Sequence, residues 1–254
     1  MSRILITGSS DGIGLVAAQK LISQGHQVTL HARNAQRASQ AQSSAPGAEG
    51  VLVSDVSTVQ GMKHLASEAN RTGTFDTVIH NAGIGYSQPH AKTEDGVAMV
   101  FAVNSLAPYV LTALMNRPKR LVYTSSGLNT GGDGSLNDVG WTSGRTWNGF
   151  QAYSDSKLHN VMLSFAVARH WKEVESNAVD PGWVQTKMGG SGAPGTADAG
   201  ADTLAWLADG KGSGSGQLYK SRKVTVPHEA AQDIDKQERF LTICEQVSGV
   251  KLPE

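Results

Sequence analysis

The glycine-rich stretch Thr7-Gly8-Ser9-Ser10-Asp11-Gly12-Ile13-Gly14 decides the fold, because a strand pattern precedes it and a helix pattern follows it. Ile4-Leu5-Ile6 is a short apolar run, and Ile13 to Ser23 carries apolar residues at helical spacing. The three glycines permit, in order, a tight turn, a close approach of backbone to a ligand, and close packing of helix on strand. The N-terminus of such a helix offers free N–H groups and a positive dipole end to a phosphate. The stretch therefore predicts a turn that binds a pyrophosphate, and the alternative is an ordinary glycine-rich turn.

Strand and helix patterns alternate along the rest of the chain. The expected strands are Arg3–Thr7, Val28–Ala32, Val51–Ser54, Thr77–His80, Arg120–Thr124, Asn177–Val179 and Gln217–Tyr219. The expected helices are Ile13–Ser23, a helix capped by Asn34 and ending at Gln42, a helix capped by Ser57, Asp95–Asn116 and Gln151–Trp171. Near-continuous apolar strands alternating with helices predict a doubly wound parallel sheet with helices on both faces, a Rossmann fold. Because no linker or repeat interrupts the pattern, we expect one domain over residues 1–254.

Charge and cysteine content narrow the class of protein. The 22 basic and 22 acidic residues cancel, so there is no electrostatic case for nucleic acid or a membrane surface as partner. The single cysteine, Cys244, excludes an internal disulfide, and no pattern of ligands predicts a metal. The first strand pattern follows Met1 almost directly, which predicts a cytoplasmic protein without a signal peptide. Four histidines lack metal-ligand spacing, and we expect them on the surface: His31, His90, His159 and His170.

The end of the second strand indicates which dinucleotide is bound. Sites that prefer NAD place an acidic side chain there to bind the ribose hydroxyls, whereas a 2′-phosphate needs a cation. This chain has Ala32 at that position and Arg33 directly after it. A guanidinium can bind a phosphate through two parallel hydrogen bonds. The pattern predicts NADP(H) rather than NAD(H), and the alternative is that Arg33 is a solvated surface residue.

Further motifs lie at strand ends and on one helix. They are Asp55-Val56, Asn81-Ala82-Gly83, Ser125-Ser126, Tyr153-x-x-x-Lys157 and Pro181-Gly182-Trp183-Val184-Gln185-Thr186. Together with Thr-Gly-x-x-x-Gly-x-Gly, they resemble the short-chain dehydrogenase/reductase family in type and order over nearly the whole chain. One departure is His80, which stands where the family usually has another asparagine before Asn81.

A tyrosine and a lysine four residues apart on a helix share one face, so a phenol and an ammonium can be neighbours. A cation about 4 Å away favours the phenolate by roughly 4 kcal/mol at an effective dielectric of 20, although burial of the phenol opposes this. The resemblance implies that Tyr153 is the general acid or base and that Lys157 supports it. It also implies that Ser126, with Ser125 as the fallback, binds the substrate oxygen and that Asn104 completes the catalytic set.

The resemblance also implies a set of cofactor-binding residues. They are Gly8, Ser10, Asp11, Gly12, Ile13, Gly14, Arg33, Asn34, Asp55, Val56, Asn81, Ala82, Gly83, Tyr153, Lys157, Pro181, Gly182, Val184 and Thr186. Asp11 opposes the NADP(H) prediction, because many NADP-dependent relatives carry a basic residue at that position. The small-residue segment from Met188 to Gly195 resembles a substrate lid.

Two features lie outside these motifs. The interval between Ser126 and Tyr153 is long and resembles an insertion of the retinol-dehydrogenase-like branch; Trp141, Trp147 and Trp183 either line an apolar pocket or pack in the core. Pro108, four residues after Asn104, frees a helix carbonyl that could hold a water linking Lys157 to solvent, and the alternative is a kinked packing helix.

The resemblance implies an oxidoreductase that interconverts a small-molecule carbonyl and an alcohol by hydride transfer. The alternatives are a catalytically silent NADP(H)-binding sensor, whose relatives usually lose the tyrosine or lysine, and an epimerase or dehydratase of an extended fold. The family also offers the homodimer and the homotetramer, packed through the long helices, as candidate assemblies.

Overall fold

The central element of the protein is one eight-stranded sheet, seen in a computed structural model that describes all 254 residues. The strands are β1 (Arg3–Ile6), β2 (Gln27–Ala32), β3 (Gly50–Val53), β4 (Thr77–His80), β5 (Arg120–Thr124), β6 (Glu175–Asp180), β7 (Leu218–Lys220) and β8 (Lys223–Thr225). Their order is β3-β2-β1-β4-β5-β6-β7-β8, and every neighbouring pair is parallel except β7 and β8. The chain direction across the sheet reverses between β1 and β4, where open α/β sheets form a crevice at their carboxyl edge.

Helices cover both faces of this sheet. They are α1 (Gly12–Ser23), α2 (Ala35–Ser44), α3 (Val59–Arg71), α4 (Met99–Phe101), α5 (Ala107–Leu114), α6 (Gly149–His170), α7 (Ala197–Ala208), α8 (Glu229–Gln232) and α9 (Ile234–Ser248). Side chains alternate along each strand, so Ile4 and Ile6 pack with α1, α2 and α7, whereas Leu5 faces the core formed with α3, α5, α6 and α9. The predicted doubly wound Rossmann fold is confirmed.

The structure corrects several predicted boundaries. Thr58, rather than Ser57, caps α3, since its hydroxyl accepts a hydrogen bond from the backbone N–H of Gly61 at 3.1 Å. Asp95 does not begin a helix, because its carboxylate accepts from the N–H of Val59 at 2.9 Å and the next helix starts only at Met99. The antiparallel edge strand β8 was not predicted. No helix combines the length and apolar character that a membrane crossing requires.

The C-terminal part of the chain covers the long helices. Every residue of α6 from Ala152 to Ser164 is buried, and α9 lies across it. The hydroxyl of Tyr109 in α5 donates to the carbonyl of Val250 at 2.8 Å, and the indole of Trp171 donates to the carbonyl of Pro253 at 2.8 Å. The C-terminal residues and α9 therefore cover part of the long helices through which the family's candidate assemblies would pack.

Candidate active site

The glycine turn lies between β1 and α1 in a conformation that needs two of its glycines. Gly8 and Gly12 have φ angles of +62° and +56°, in the left-handed region that favours glycine. A Cβ on Gly8 would lie 2.6 Å from the Cα of Ala82, so the turn also needs the absence of a side chain there. A Cβ on Gly12 would meet only the methyl group of Thr186, at 3.7 Å. The turn at Gly12 therefore faces the segment that follows β6. The phosphate site at this turn stays a prediction.

His31 holds this turn, contrary to the expectation that it lies on the surface. The ring is buried, its Nδ1 accepts a hydrogen bond from the N–H of Gly8 at 3.0 Å, and its Nε2 lies 2.9 Å from the carbonyl oxygen of Ser54. Because Nδ1 is the acceptor, Nε2 carries the proton and donates it. Burial lowers the pKa of His31 and keeps the ring neutral. The side chain thus ties β1, β2 and β3 together beneath the turn. His159 is buried too, with its Nδ1 3.1 Å from the Ser105 hydroxyl.

Asn81 supports the turn from β4. Its side-chain amide donates to the carbonyl oxygens of Thr7 at 3.1 Å and Gly8 at 3.0 Å, and the backbone N–H groups of Asn81 and Ala82 both donate to the Thr7 hydroxyl. A Cβ on Gly14 would lie 2.3 Å from this amide, which explains the third glycine. Asn81 and Ala82 therefore hold the glycine turn in place through Thr7 and Gly8.

The predicted pair Asp55-Val56 follows β3. Val56 is buried, and the Asp55 carboxylate accepts from the N–H of Ser57 at 3.0 Å. This turn places the pair near the carboxyl edge of the sheet beside the glycine turn. Pro181 and Gly182 lie at the same edge after β6, where the N–H of Gly182 donates to the Asp180 carboxylate at 2.9 Å.

Tyr153 and Lys157 lie one turn apart on α6 and both are buried. The Lys157 ammonium lies 5.2 Å from the centre of the Tyr153 ring and donates to the carbonyl of Thr124 at 3.1 Å, which the Asn160 amide also reaches at 3.1 Å. Burial raises the pKa of Tyr153 to about 12, although a hydrogen bond with Ser126 acts in the opposite direction. Burial lowers the pKa of Lys157 from 10.5 to about 8.

The two serines after β5 have different surroundings. The Ser125 hydroxyl is buried and donates to the backbone carbonyl of Lys157 at 2.8 Å, so it anchors α6 to the strand. Ser126 caps a 3₁₀ turn over Gly127–Gly131 and lies beside the Tyr153 phenol. Ser125 is thus engaged in holding α6, whereas Ser126 lies close enough to Tyr153 to oppose the rise in its pKa that burial causes.

Asn104 lies in a π-helical turn, Ala102–Leu106, that joins α4 to α5. Its amide donates to the carbonyl of Ile84 and the hydroxyl of Ser156, both at 3.0 Å, and its carbonyl accepts from the N–H of Ile84 at 2.8 Å. The side chain thus fastens the segment after β4 to α6. A Cβ on Gly83 would lie 3.4 Å from the Asn104 amide oxygen and 3.7 Å from the Lys157 ammonium, so these two groups are neighbours.

Three cations surround the glycine turn, and only Arg33 was predicted. Arg33 is exposed and forms no ion pair, while Asn34 caps α2 by accepting from the N–H of Arg37 at 2.9 Å. The Asp11 carboxylate pairs with Arg37 at 3.2 Å and with Lys187 at 2.6 Å. Partial burial acts to raise the pKa of Asp11, but hydrogen bonds from Lys187, Gly12 and Arg37 outweigh it and lower that pKa. Arg37 lies four residues after Arg33, in the first turn of α2. This short spacing is the feature of the sequence from which Arg37 could have been predicted. Nothing in the sequence indicates the Lys187 pair.

The segment after β6 folds over the site. The N–H of Gly189 donates to the Thr186 hydroxyl at 3.0 Å, and Val184 pairs with Gly195. The Met188 sulfur lies 3.8 Å from the hydroxyl of Tyr153. The segment expected to form a lid therefore reaches Tyr153 through its first residue, Met188.

The interval between Ser126 and Tyr153 is packed by its own aromatic residues. Trp141 is buried, with the Arg145 guanidinium 3.3 Å from its ring centre, and Trp147 packs against it at 5.0 Å. Trp141 and Trp147 therefore form a small core, whereas Trp183 is 60% exposed. Of the two roles considered for these tryptophans, packing applies to the first two.

The comparisons with known proteins agree with this geometry. The family model described as short chain dehydrogenase matches residues 2–195, and the chain belongs to this family. An uncharacterized oxidoreductase of Emericella nidulans is 49% identical over 261 residues, covering 100% of this chain and 99% of that protein. Human retinol dehydrogenase 14 is 32% identical over 213 residues, covering 73% of this chain and 62% of its own. A solved structure of a Mycobacterium paratuberculosis protein shares the fold with a TM-score of 0.88 at 24% identity, covering 100% of this chain and 96% of that one.

The predicted family is confirmed, and the protein is an oxidoreductase of it. The retinol dehydrogenase match agrees with the predicted branch, whereas the comparisons do not bear on the insertion between Ser126 and Tyr153, which stays a prediction.

Proposed function

We propose that this protein is an NADP(H)-dependent oxidoreductase that interconverts a carbonyl and an alcohol, with Tyr153 as general acid in the reduction. One observation carries the proposal: Tyr153 and Lys157 are both buried one turn apart on α6, with the Lys157 ammonium 5.2 Å from the centre of the Tyr153 ring, at the carboxyl edge of the sheet that also carries Ser126 and the glycine turn. The intact tyrosine and lysine favour an enzyme over the silent sensor.

The residues present fit a nicotinamide dinucleotide. The turn at Gly12 and the N-terminus of α1 would hold the pyrophosphate, since the Gly12 backbone carries no side chain of its own and helix N-termini attract anions. Lys157 would hold the nicotinamide ribose, and Thr186, whose methyl group lies over the turn, would address the carboxamide. When bound, the nicotinamide supplies or accepts the hydride.

The protein's own groups would manage the proton and the developing negative charge. Tyr153 donates its proton to the substrate oxygen, and Ser126 donates a hydrogen bond to the same oxygen. Burial raises the pKa of Tyr153 to about 12, which keeps the phenol protonated and able to donate at neutral pH. The Lys157 ammonium, 5.2 Å from the centre of the Tyr153 ring, favours the phenolate that remains once the proton has left. Asn104 acts as a positioning residue through Ile84 and Ser156.

The preference for NADP(H) rests on the charges around the turn. Ala32 supplies no acid for the ribose hydroxyls, and Arg33, Arg37 and Lys187 together outnumber the single carboxylate of Asp11. Arg33 is the cation that is free to bind a 2′-phosphate, and Arg37 is the nearest second one.

The test is fluorescence titration of the purified protein with NADPH and NADH, for wild type, Arg33→Ala, Arg37→Ala and the control Arg71→Ala, whose arginine pairs with Glu68 far from the turn. Losing one charge-assisted hydrogen bond costs about 1.5 to 3 kcal/mol, so Arg33→Ala should weaken NADPH binding by about ten- to a hundredfold and leave NADH binding unchanged. Equal binding of both cofactors by wild type would reject the NADP(H) preference. Oxidation of NADPH with carbonyl compounds that survives Tyr153→Phe would reject the catalytic assignment.

A further inference from the structure

Exposed apolar side chains concentrate around Tyr153. Ten large hydrophobic side chains of the protein are exposed, and four of them belong to the three segments that surround the tyrosine: Tyr86, Phe150, Trp183 and Met188. Clusters of exposed apolar side chains mark binding surfaces more often than scattered ones do. The concentration points to a ligand with an apolar body.

Tyr86 and Phe150 form a continuous surface with the catalytic ring, which we call the aromatic wall. The Tyr86 ring lies 5.8 Å from the Phe150 ring at an interplanar angle of 61°, and 5.8 Å from the Tyr153 ring at 79°. These are edge-to-face contacts, the arrangement that aromatic pairs favour. Phe150 is 52% and Tyr86 41% exposed, so both rings keep surface free for a third partner.

The backbone beneath the aromatic wall is fixed. A Cβ on Gly149 would lie 2.4 Å from the carbonyl oxygen of Tyr86, so the first turn of α6 packs directly on that residue. The Trp147 indole donates to the carbonyl of Gln88 at 3.2 Å, which joins the same two segments a second time. Neither segment depends on a ligand to bring the rings together.

Met188 lies next to the aromatic wall. Its Cγ lies 2.9 Å from where a Cβ on Gly85 would be, and its sulfur lies 3.8 Å from the Tyr153 hydroxyl. The substrate oxygen must approach this hydroxyl, so the Met188 side chain occupies space that a bound substrate would take. Thioethers contact aromatic rings favourably, at about 0.3 to 1.5 kcal/mol.

The charged side chains on these segments point elsewhere. Lys187, next to Met188, pairs with Asp11, and Arg145 pairs with Asp138 and Asp155 while it covers Trp141. Neither Lys187 nor Arg145 therefore adds a free charge to the aromatic wall.

We infer that the aromatic wall is the subsite for the non-reacting part of the substrate, and that this part is a flat, uncharged aromatic ring system adjacent to the carbonyl. The inference rests on the proposed function, since it assumes that the reacting oxygen binds at Tyr153. It assigns Tyr86, Phe150 and Met188, rather than Trp141 and Trp147, to substrate selection.

The test uses Phe150→Leu, which keeps an apolar side chain and removes the ring. Two ketones are compared, 2-acetylnaphthalene and cyclohexyl methyl ketone, and the quantity is the change in the ratio of their kcat/KM values, so that their different intrinsic reactivities cancel. Because an aromatic pair contributes about 0.5 to 1.5 kcal/mol beyond burial, the variant should lower the ratio about fivefold. Tyr86→Leu should act in the same direction. Val226→Ala, an exposed apolar residue outside these segments, should leave the ratio unchanged.

A binding measurement separates this inference from the proposed function. Calorimetric titration of protein loaded with NADP⁺ with 2-acetylnaphthalene should give a Kd that Phe150→Leu weakens about fivefold, while 6-acetyl-2-naphthoate, which adds a carboxylate, should bind more weakly to wild type. Ring-dependent binding without turnover would leave the subsite standing and reject the reduction. Turnover that is indifferent to Phe150 and Tyr86, equal binding of the naphthoate, or no binding would overturn the subsite.

Discussion

The buried charge of Lys157 should destabilise the folded protein, although the proposed reaction requires that charge. We consider Lys157→Met, which replaces the ammonium with an apolar group of similar length. Met is expected to fill the same buried space beside Tyr153 while removing the charge. The variant should be more stable than wild type at neutral pH and inactive.

The magnitude follows from the lysine pKa, which burial lowers from 10.5 in the unfolded chain to about 8 in the folded protein. A difference of 2.5 pH units corresponds to about 3.4 kcal/mol, and it favours the unfolded state wherever the amine is charged in both states. The variant loses one hydrogen bond to the Thr124 carbonyl, at a cost of about 1 kcal/mol. That carbonyl keeps its partner Asn160, so no acceptor is left without a donor. The net gain for Lys157→Met at pH 7 is about 2 kcal/mol, or roughly 4 to 8 °C in Tm.

The pH dependence of the stability difference distinguishes removal of the lysine charge from improved packing as its cause. The folded pKa is the lower one, so the destabilisation is fully present below pH 8 and disappears as the pH rises from 8 towards 10.5. Between pH 7 and pH 10 the advantage of the variant should shrink by about 2.5 kcal/mol. An improvement in packing would not change with pH.

The assay is equilibrium urea unfolding followed by circular dichroism at pH 7 and pH 10, for wild type, Lys157→Met and Lys172→Met. Lys172 is exposed and unpaired, so its replacement should change stability by less than about 0.5 kcal/mol at either pH. A Lys157→Met protein that is less stable than wild type at pH 7, or whose advantage is the same at both pH values, would refute the argument.

Three further predictions follow from the buried contacts around the site. His31→Ala removes two hydrogen bonds and leaves the Gly8 N–H and the Ser54 carbonyl without their partner, so urea unfolding should show a loss of about 2 to 4 kcal/mol; a loss under 0.5 kcal/mol would mean that water replaces the ring. Arg145→Met leaves the Asp155 carboxylate buried without its cation, and burial already raises the pKa of that carboxyl, so the variant should lose about 3 kcal/mol at pH 7 and progressively less as the pH falls and the carboxyl takes up a proton; a loss that does not change with pH would point to packing alone. Light scattering should give the mass of one chain, because α9 and the C-terminal residues cover α5 and α6; a dimer would require a surface other than these helices.

The sequence predicted the sheet and its helices well, because both depend on patterns of neighbouring residues. The prediction failed where the same local pattern is compatible with two structures and contacts with distant residues determine which one forms. Asp95 could begin a helix, but instead it binds the N–H of Val59, 36 residues earlier. β8 has three residues and exposes Val224, so it lacks the buried alternation that marks a strand. His31 lies on an apolar strand, yet its burial depends on acceptors and donors from β1 and β3.

The candidate site divides in the same way. Tyr153, Lys157, Ser126 and the glycine turn could be found because each lies at a fixed interval from a recognisable strand or helix. Tyr86 could not, since its contact with Tyr153 depends on how the loop after β4 folds. Met188 was found only as the first residue of the lid segment, because its distance to Tyr153 depends on the fold of a second loop. The residues proposed to catalyse the reaction follow local patterns here, whereas those proposed to contact the substrate depend on tertiary structure.

Asp11 shows why charge at this site has to be counted over the folded surface. Taken alone, an acid at this position argues against a 2′-phosphate, because many NADP-dependent relatives carry a base there. In the structure the Asp11 carboxylate is neutralised twice, by Arg37 of α2 and by Lys187 from the segment after β6. Counting Arg33, the three cations and one anion leave two positive charges beside the turn, which matches the roughly two negative charges of a phosphate monoester. Asp11 thus acts as a bridge that holds two distant cations at the turn, and its presence favours the NADP(H) assignment that its position alone would oppose.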